Sequence, residues 1–189
     1  MLQYEDFEEK TIKRQEIFKG KIIDVYLDDV KLPDGNVAKR ELVFHPGGVG
    51  VLAITPEDKI VLVKQFRKPL EQVLLEIPAG KIETGEGRTP LETGARELEE
   101  ETGYRAESYE HVTSMYLSPG FANEKLHIYH AKNLFKVENP LPKDDDEVLE
   151  IYELDFTEAN EKLRSGEICD AKTIVAMQHW ALLREQGRK

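Results

Sequence analysis

One helix with clear signals at both ends follows a series of β-rich runs, and this order limits the possible folds more than any other feature. Thr89 is a candidate N-cap, Pro90 suits the first helical position, and Glu92 can complete a capping box. Gly103 is suited to closing the helix. We therefore expect a chain that mixes strands with a few helices.

Five runs before this helix predict strands. Residues 21–31 and 36–44 flank a Pro-Asp-Gly turn and predict an antiparallel hairpin. Central strands are predicted at residues 49–54, 60–66 and 73–77. After the helix, the patterns predict three strands and two helices, at residues 111–117, 125–131, 148–154, 157–165 and 170–186. The fold class is α+β, and we divide the chain into an N-terminal hairpin region, 1–45, and a main domain, 46–189.

Composition excludes several classes of function. The formal net charge of −11 disfavours binding to nucleic acid or to a membrane surface, since both need clustered positive charge. Cys169 is the only cysteine, so an internal disulfide and a Cys/His zinc cluster are excluded. The first residues are acidic and polar, unlike a secretory signal, and we expect a cytoplasmic protein.

The predicted helix carries two different faces. A buried stripe is expected at the spacing of one helical face, formed by Leu91, Ala95, Leu98 and Thr102. Glu97, Glu100 and Glu101 are related by three and four residues, so they share a face roughly opposite this stripe. Such like charges repel, and a hard divalent cation such as Mg²⁺ or Mn²⁺ would compensate them. The alternative is a solvated acidic face.

The surroundings of these glutamates resemble the signature of the Nudix hydrolase family. The matching residues occur in the family's order: Gly80, Glu86, Arg96, Glu97, Leu98, Glu100, Glu101 and Gly103. Nine residues separate Glu86 from Arg96, where the family usually has seven, and we expect the extra pair to lengthen the loop before the helix. The resemblance implies an α/β/α sandwich with a central mixed sheet and metal-dependent hydrolysis of a nucleoside diphosphate linkage.

The same resemblance implies roles for individual residues. Glu97 and Glu101 would be the main metal ligands, with Glu100 a further ligand, direct or through water. The carbonyl of Ala79 would be another ligand. Arg96 would orient a glutamate, and a plain surface pair with Glu100 is the equally simple alternative.

Residues outside the helix resemble the ADP-ribose pyrophosphatase branch of the family. Pro119, fifteen residues after Tyr104, and the adjacent Gly120 resemble the proline marker of that branch. Arg67, in Val-Lys-Gln-Phe-Arg, would contact substrate phosphates, or else be an ordinary exposed arginine. Glu124 would contact the ribose or have a structural role. The runs at 74–80 and 170–173 extend the likeness over most of the chain.

The general base is expected in the acidic loop at residues 143–147. We favour Glu147 over Asp145, because Glu147 directly precedes an apolar strand start, and Glu100 is the next candidate. A solvated loop is the alternative reading of the four acids. For adenine, Tyr26 and Phe44 are candidate stacking residues.

The leading hypothesis is Mg²⁺-dependent cleavage of ADP-ribose to AMP and ribose 5-phosphate. Two alternatives stay open: a pyrophosphatase for another nucleoside diphosphate sugar or dinucleotide, and a Nudix domain that senses a ligand. The partner is then a small nucleoside diphosphate substrate, with no nucleic acid and no membrane. The branch also implies a homodimer whose N-terminal hairpins exchange.

Overall fold

The computed structural model describes residues 1–82, 87–143 and 148–187. This part of the chain contains three α-helices, ten strands and two short 3-10 turns at Tyr4–Asp6 and Lys68–Leu70. The strands are β1 (Lys10–Lys19), β2 (Asp24–Lys31), β3 (Val37–Phe44), β4 (Gly48–Ala53), β5 (Ile60–Arg67), β6 (Gln72–Glu76), β7 (Ala79–Lys81), β8 (Tyr104–Tyr116), β9 (Lys125–Lys136) and β10 (Glu150–Leu154). The helices are α1 (Pro90–Thr102), α2 (Phe156–Ser165) and α3 (Ala171–Glu185). The predicted α+β class is confirmed.

The chain forms two compact units. The first comprises Met1–Gly47 and Tyr116–Lys125, and the second Gly48–Met115 and Leu126–Lys189. The sequence division at residue 45 had left Tyr116–Lys125 with the main domain. This segment joins the first unit because it is bonded to β3: the Val43 N–H donates to the Phe121 carbonyl at 2.8 Å, and the Asn123 N–H donates to the Val43 carbonyl at 3.1 Å.

The first unit contains an antiparallel sheet in the order β1-β2-β3. The predicted hairpin is present as β2 and β3, and its turn places Gly35 at φ 89°, a left-handed conformation that glycine adopts without strain. Strand β1 was not predicted. All ten of its residues are exposed. A strand without a buried face need not alternate apolar and polar residues, and that alternation is the pattern by which a half-buried strand is recognised.

The second unit contains two sheets. One is antiparallel, in the order β10-β5-β6, and the other has the order β7-β4-β9-β8. In the latter, β4 pairs in parallel with β9 and antiparallel with β7, so the sheet is mixed as expected.

Helices cover both faces of β4. On one face, Gly94 of α1 lies so close to Val49 that an added Cβ would be 2.9 Å from its Cγ2. On the other face, Leu52 belongs to a core that includes Met177 and Trp180 of α3. Burying an apolar side chain of this size contributes about 1.5 to 3 kcal/mol, so the two cores fix the helices on the sheet.

Several predicted boundaries shift by a few residues. β8 begins at Tyr104, directly after α1, whereas the sequence predicted a start at residue 111. α2 begins at Phe156 with Asp155 as its N-cap, and Asp170 caps α3 as predicted. No helix in the described residues is both long and apolar enough to cross a membrane.

Candidate active site

The ends of α1 are set by the residues that the sequence indicated. Thr89 and Glu92 form the capping box, with the Thr89 N–H donating to Glu92 Oε2 at 2.7 Å and the Glu92 N–H donating to Thr89 Oγ1 at 3.3 Å. Gly103 ends the helix at φ 71° and donates its N–H to the Glu99 carbonyl at 2.8 Å. The angular positions of the glutamates along α1 are therefore well defined.

Glu97 lies directly against the backbone of β7. A Cβ added to Gly80 would overlap the Glu97 carboxylate, so this close approach requires glycine at that position. Glu101 reaches the neighbouring residue, where its Oε2 accepts the Ala79 N–H at 3.0 Å. Two of the predicted ligands and the residue with the predicted carbonyl ligand are thus brought together.

The predicted division of α1 into an apolar and an acidic face is wrong in one respect. Glu101 is buried, at 1% exposure, while Leu91 and Ala95 of the expected stripe are only half-buried. The buried face follows Gly94, Leu98 and Glu101, because the close approach of Gly94 to β4 turns that side of the helix inward. The Glu101 carboxylate accepts the Ala79 N–H, which makes its burial tolerable.

Arg96 contacts two of the three glutamates. Its Nη2 donates to Glu97 Oε1 at 2.6 Å, and its Nη1 donates to Glu100. Burial lowers the pKa of the Arg96 guanidinium, but the charges of Glu97 and Glu100 outweigh this effect. The pKa of Arg96 is therefore raised above its ordinary value. Arg96 therefore contacts Glu97 as well as Glu100 four residues away, and its orienting role stays a prediction.

The donor set suits a hard divalent cation. Two of the three carboxylates contact the Arg96 guanidinium and the third accepts the Ala79 N–H, and oxygen ligands are those that Mg²⁺ and Mn²⁺ prefer. Within residues 1–82, 87–143 and 148–187, no three His, Cys, Asp or Glu side chains yet form a metal-binding cluster. In the present arrangement, Arg96 bridges Glu97 and Glu100, and Glu101 is engaged by the Ala79 N–H. Glu86 and the predicted base Glu147 lie outside the described residues.

Arg67 is held by a buried carboxylate that the sequence did not point to. Its Nε and Nη2 donate to the two oxygens of Glu76 at 2.7 and 2.6 Å, and Lys172 Nζ also donates to Glu76. Burial would raise the pKa of Glu76, but the bonds from Arg67 and the charge of Lys172 lower it below its ordinary value. Arg67 is therefore partly exposed, with its guanidinium fixed by an ionised, buried partner, and its contact with substrate phosphates stays a prediction.

The predicted substrate residues Pro119 and Gly120 belong to the first unit. They lie in a turn in which the Ser118 carbonyl accepts the Ala122 N–H at 2.8 Å. A cavity of about 170 Å³ is lined by residues 42–44 and 119–123. Glu124 follows this segment, with its Oε1 3.8 Å from His45 Nδ1.

Tyr26 and Phe44, the candidate stacking residues, pack on one another in the same unit. Their rings are edge-to-face with centroids 5.5 Å apart, and the Arg14 guanidinium lies 5.1 Å from each. Arg14 in turn donates to both oxygens of buried Asp28, at 2.8 and 2.7 Å. No sequence pattern indicated this cluster, since Arg14 lies on β1, the strand that was not predicted.

Comparison with known proteins identifies the two parts of the chain. A family model described as "NUDIX domain" matches residues 44–175, and one described as "Nucleoside diphosphate sugar hydrolase N-terminal domain" matches residues 9–43. An ADP-ribose pyrophosphatase of Bacillus subtilis (strain 168) is 51% identical over 175 residues, which are 93% of this chain and 94% of the relative.

A second relative and a solved structure are also similar to this chain. A methanol dehydrogenase activator of Bacillus methanolicus is also 51% identical, over 93% of this chain and 94% of its own. A solved structure, "Crystal structure of ADP compounds hydrolase", matches with a TM-score of 0.83 at 20% identity and covers 96% of this chain and 97% of that one. At this identity the structural match concerns the fold alone, and the predicted sandwich is confirmed.

Proposed function

Since this chain belongs to the Nudix hydrolase family, we propose that it hydrolyses the diphosphate linkage of ADP-ribose, giving AMP and ribose 5-phosphate. The observation that carries the proposal is the packing of α1 on β7, which brings Glu97 to Gly80 and Glu101 to Ala79. The identity to the Bacillus subtilis enzyme supports the choice of substrate.

We propose Mg²⁺ as the cofactor, with Mn²⁺ an acceptable substitute. Glu97, Glu100 and Glu101 would hold it together with the Ala79 carbonyl, and Arg96 would orient the first two. When bound, the ion neutralises charge on the diphosphate oxygens during attack by water. Because Arg96 now pairs with Glu97 and Glu100, loading the site would require those carboxylates to be shared between the guanidinium and the ion.

The roles of the remaining residues are proposed from the resemblance to the family. Arg67 would contact the substrate phosphates, and Pro119, Gly120 and Glu124 would contact other parts of the substrate. We propose Glu147 as the group that takes the proton from the attacking water. Glu100 is the next candidate for that base.

We further propose a cytoplasmic homodimer in which residues 1–45 form the dimer region and residues 46–189 the hydrolase domain. Large apolar side chains on β1 support this, since Ile12, Ile17 and Phe18 are each more than half exposed within the described chain. A surface of this kind is commonly covered by another chain. A second copy related by symmetry could cover it.

A second candidate substrate is another nucleoside diphosphate sugar. The description of the N-terminal family model, which names nucleoside diphosphate sugars as a class, favours it.

Purified protein with Mg²⁺ should be assayed on ADP-ribose, other nucleoside diphosphate sugars and dinucleotides, with the products separated by chromatography. We expect the highest kcat/KM for ADP-ribose. Preference for another member would assign the second candidate, and no hydrolysis of any member would contradict the proposed function.

A further inference from the structure

Outside α1, four charged side chains form a cluster that joins β5, β6 and the start of α3. Glu76 is its centre and is only 1% exposed. Its carboxylate accepts hydrogen bonds from both Arg67 and Lys172. Lys172 also donates to Asp170 Oδ1 at 2.9 Å, and the same oxygen accepts the Thr173 N–H at 3.1 Å as the N-cap of α3.

The cluster fixes one edge of the Arg67 guanidinium and leaves another open. Nε and Nη2 are both used by Glu76, in the bidentate geometry that determines the plane of the group. Among the described residues, Nη1 has no hydrogen-bond partner, and the Arg67 side chain is 38% exposed. An arginine that is already held in this way can bind a phosphate without first losing side-chain freedom.

Lys172 changes what Glu76 can do to Arg67. A carboxylate paired with one arginine alone would cancel much of its positive charge. Here Glu76 divides its negative charge between two cations, because Lys172 Nζ shares Oε2 with Arg67 Nη2. The stem of Lys172 lies beside β4, since its Cδ would be 3.7 Å from a Cβ added to Gly50.

We propose that Glu76 and Lys172 are positioning residues that hold Arg67 ready for an anionic phosphate group of the substrate. This inference rests on the proposed hydrolysis of a nucleoside diphosphate. Neither Glu76 nor Lys172 touches the substrate, so their effect on binding passes through Arg67.

The test is a double-mutant cycle with ADP-ribose at saturating Mg²⁺. Glu76→Gln keeps the shape but places an amide N–H₂ against donors of Arg67 and Lys172. We expect it to raise KM about tenfold and to change kcat less than about threefold. In the Arg67→Ala background, the same substitution should change KM by less than about twofold, because the group through which it acts is gone.

A matched control is available on α1. Glu99 is 4% exposed and is clamped by Arg105 Nε and Nη2 at 2.6 and 2.9 Å, with no contact to Arg67. Glu99→Gln should have the same effect on KM in both backgrounds. If Glu76→Gln does not fold, Lys172→Met replaces it, and its effect on KM should likewise disappear in the Arg67→Ala background.

The outcomes separate the inference from the proposed function. Wild-type hydrolysis with an unchanged KM in Glu76→Gln would overturn the inference alone, as would an equal effect of that substitution in both backgrounds. For Lys172→Met, the same two results would overturn it. A wild-type protein that hydrolyses no nucleoside diphosphate would overturn both.

Discussion

Glu101 on α1 accepts the N–H of Ala79 on β7 at 3.0 Å, so a buried carboxylate ties the acidic helix to the strand beside it. The same side chain is proposed to be a metal ligand. Glu101 thus combines a structural role with a proposed chemical one, and two substitutions can separate the two.

Glu101→Gln should abolish nearly all hydrolysis while leaving the fold intact. Its amide oxygen can still accept the Ala79 N–H, but it brings no negative charge to a metal. Glu101→Ala should lose activity and also lower the free energy of unfolding by about 1 to 3 kcal/mol, the cost of leaving a buried donor unpaired. Assays at saturating Mg²⁺ and urea denaturation measure the two effects. Substantial activity in Glu101→Gln would show that the helix is not the metal site.

Gly80→Ala should lower activity more than stability. The added methyl group would overlap the Glu97 carboxylate and push it away from β7. Gly94→Ala is the matched comparison, because its methyl group would lie 2.9 Å from Val49 Cγ2 in the core. It should mainly lower the melting temperature. Equal activity losses in the two variants, measured at a temperature where both are folded, would contradict the placement of Glu97.

Glu147→Gln should lower kcat by roughly 10² to 10⁴ with little change in KM, as expected for the loss of a positioned base. Excess Mg²⁺ should not restore the rate, whereas it would partly restore the rate of a variant that had lost a metal ligand. Asp144→Asn and Asp146→Asn serve as controls and should be mild. A severe effect of Asp145→Asn with a mild one of Glu147→Gln would move the base two residues along the chain.

Acid should destabilise the first unit through Asp28. Its hydrogen bonds from Arg14 hold the pKa of Asp28 below its ordinary value of 3.8. A carboxylate with a lowered folded-state pKa contributes stability above its unfolded pKa, and this contribution is lost as the pH falls through the folded value. Asp28→Asn should therefore be less stable than wild type at pH 7, and the difference should shrink below pH 3.8. Melting temperatures across this range test it, and a constant difference would contradict the assignment.

The sequence predicted most of what depends on local signals. The caps at Thr89 and Gly103 fixed the ends of α1, and the Pro-Asp-Gly turn fixed the hairpin of β2 and β3. Strand β1 was missed because polar residues dominate it and none is buried. Backbone pairing with β2, and not a buried apolar face, holds β1 in the sheet.

Contacts between distant residues left no such signal. Arg67, Glu76 and Lys172 meet only after three elements have packed, so no spacing along the chain reveals them. The burial of Glu101 was mispredicted for a related reason. Helical periodicity assumes that apolar residues face the core, whereas here a glycine at position 94 sets which side of α1 is inward.

The most direct test of the account is the affinity of the protein for Mn²⁺, followed by electron paramagnetic resonance, in wild type and in Glu97→Gln and Glu101→Gln. If α1 holds the catalytic ion, each substitution should weaken binding at least about tenfold, because a carboxylate ligand becomes a neutral amide. Asp144→Asn should leave the affinity near that of wild type. Unchanged Mn²⁺ affinity in both glutamate variants would contradict the central claim.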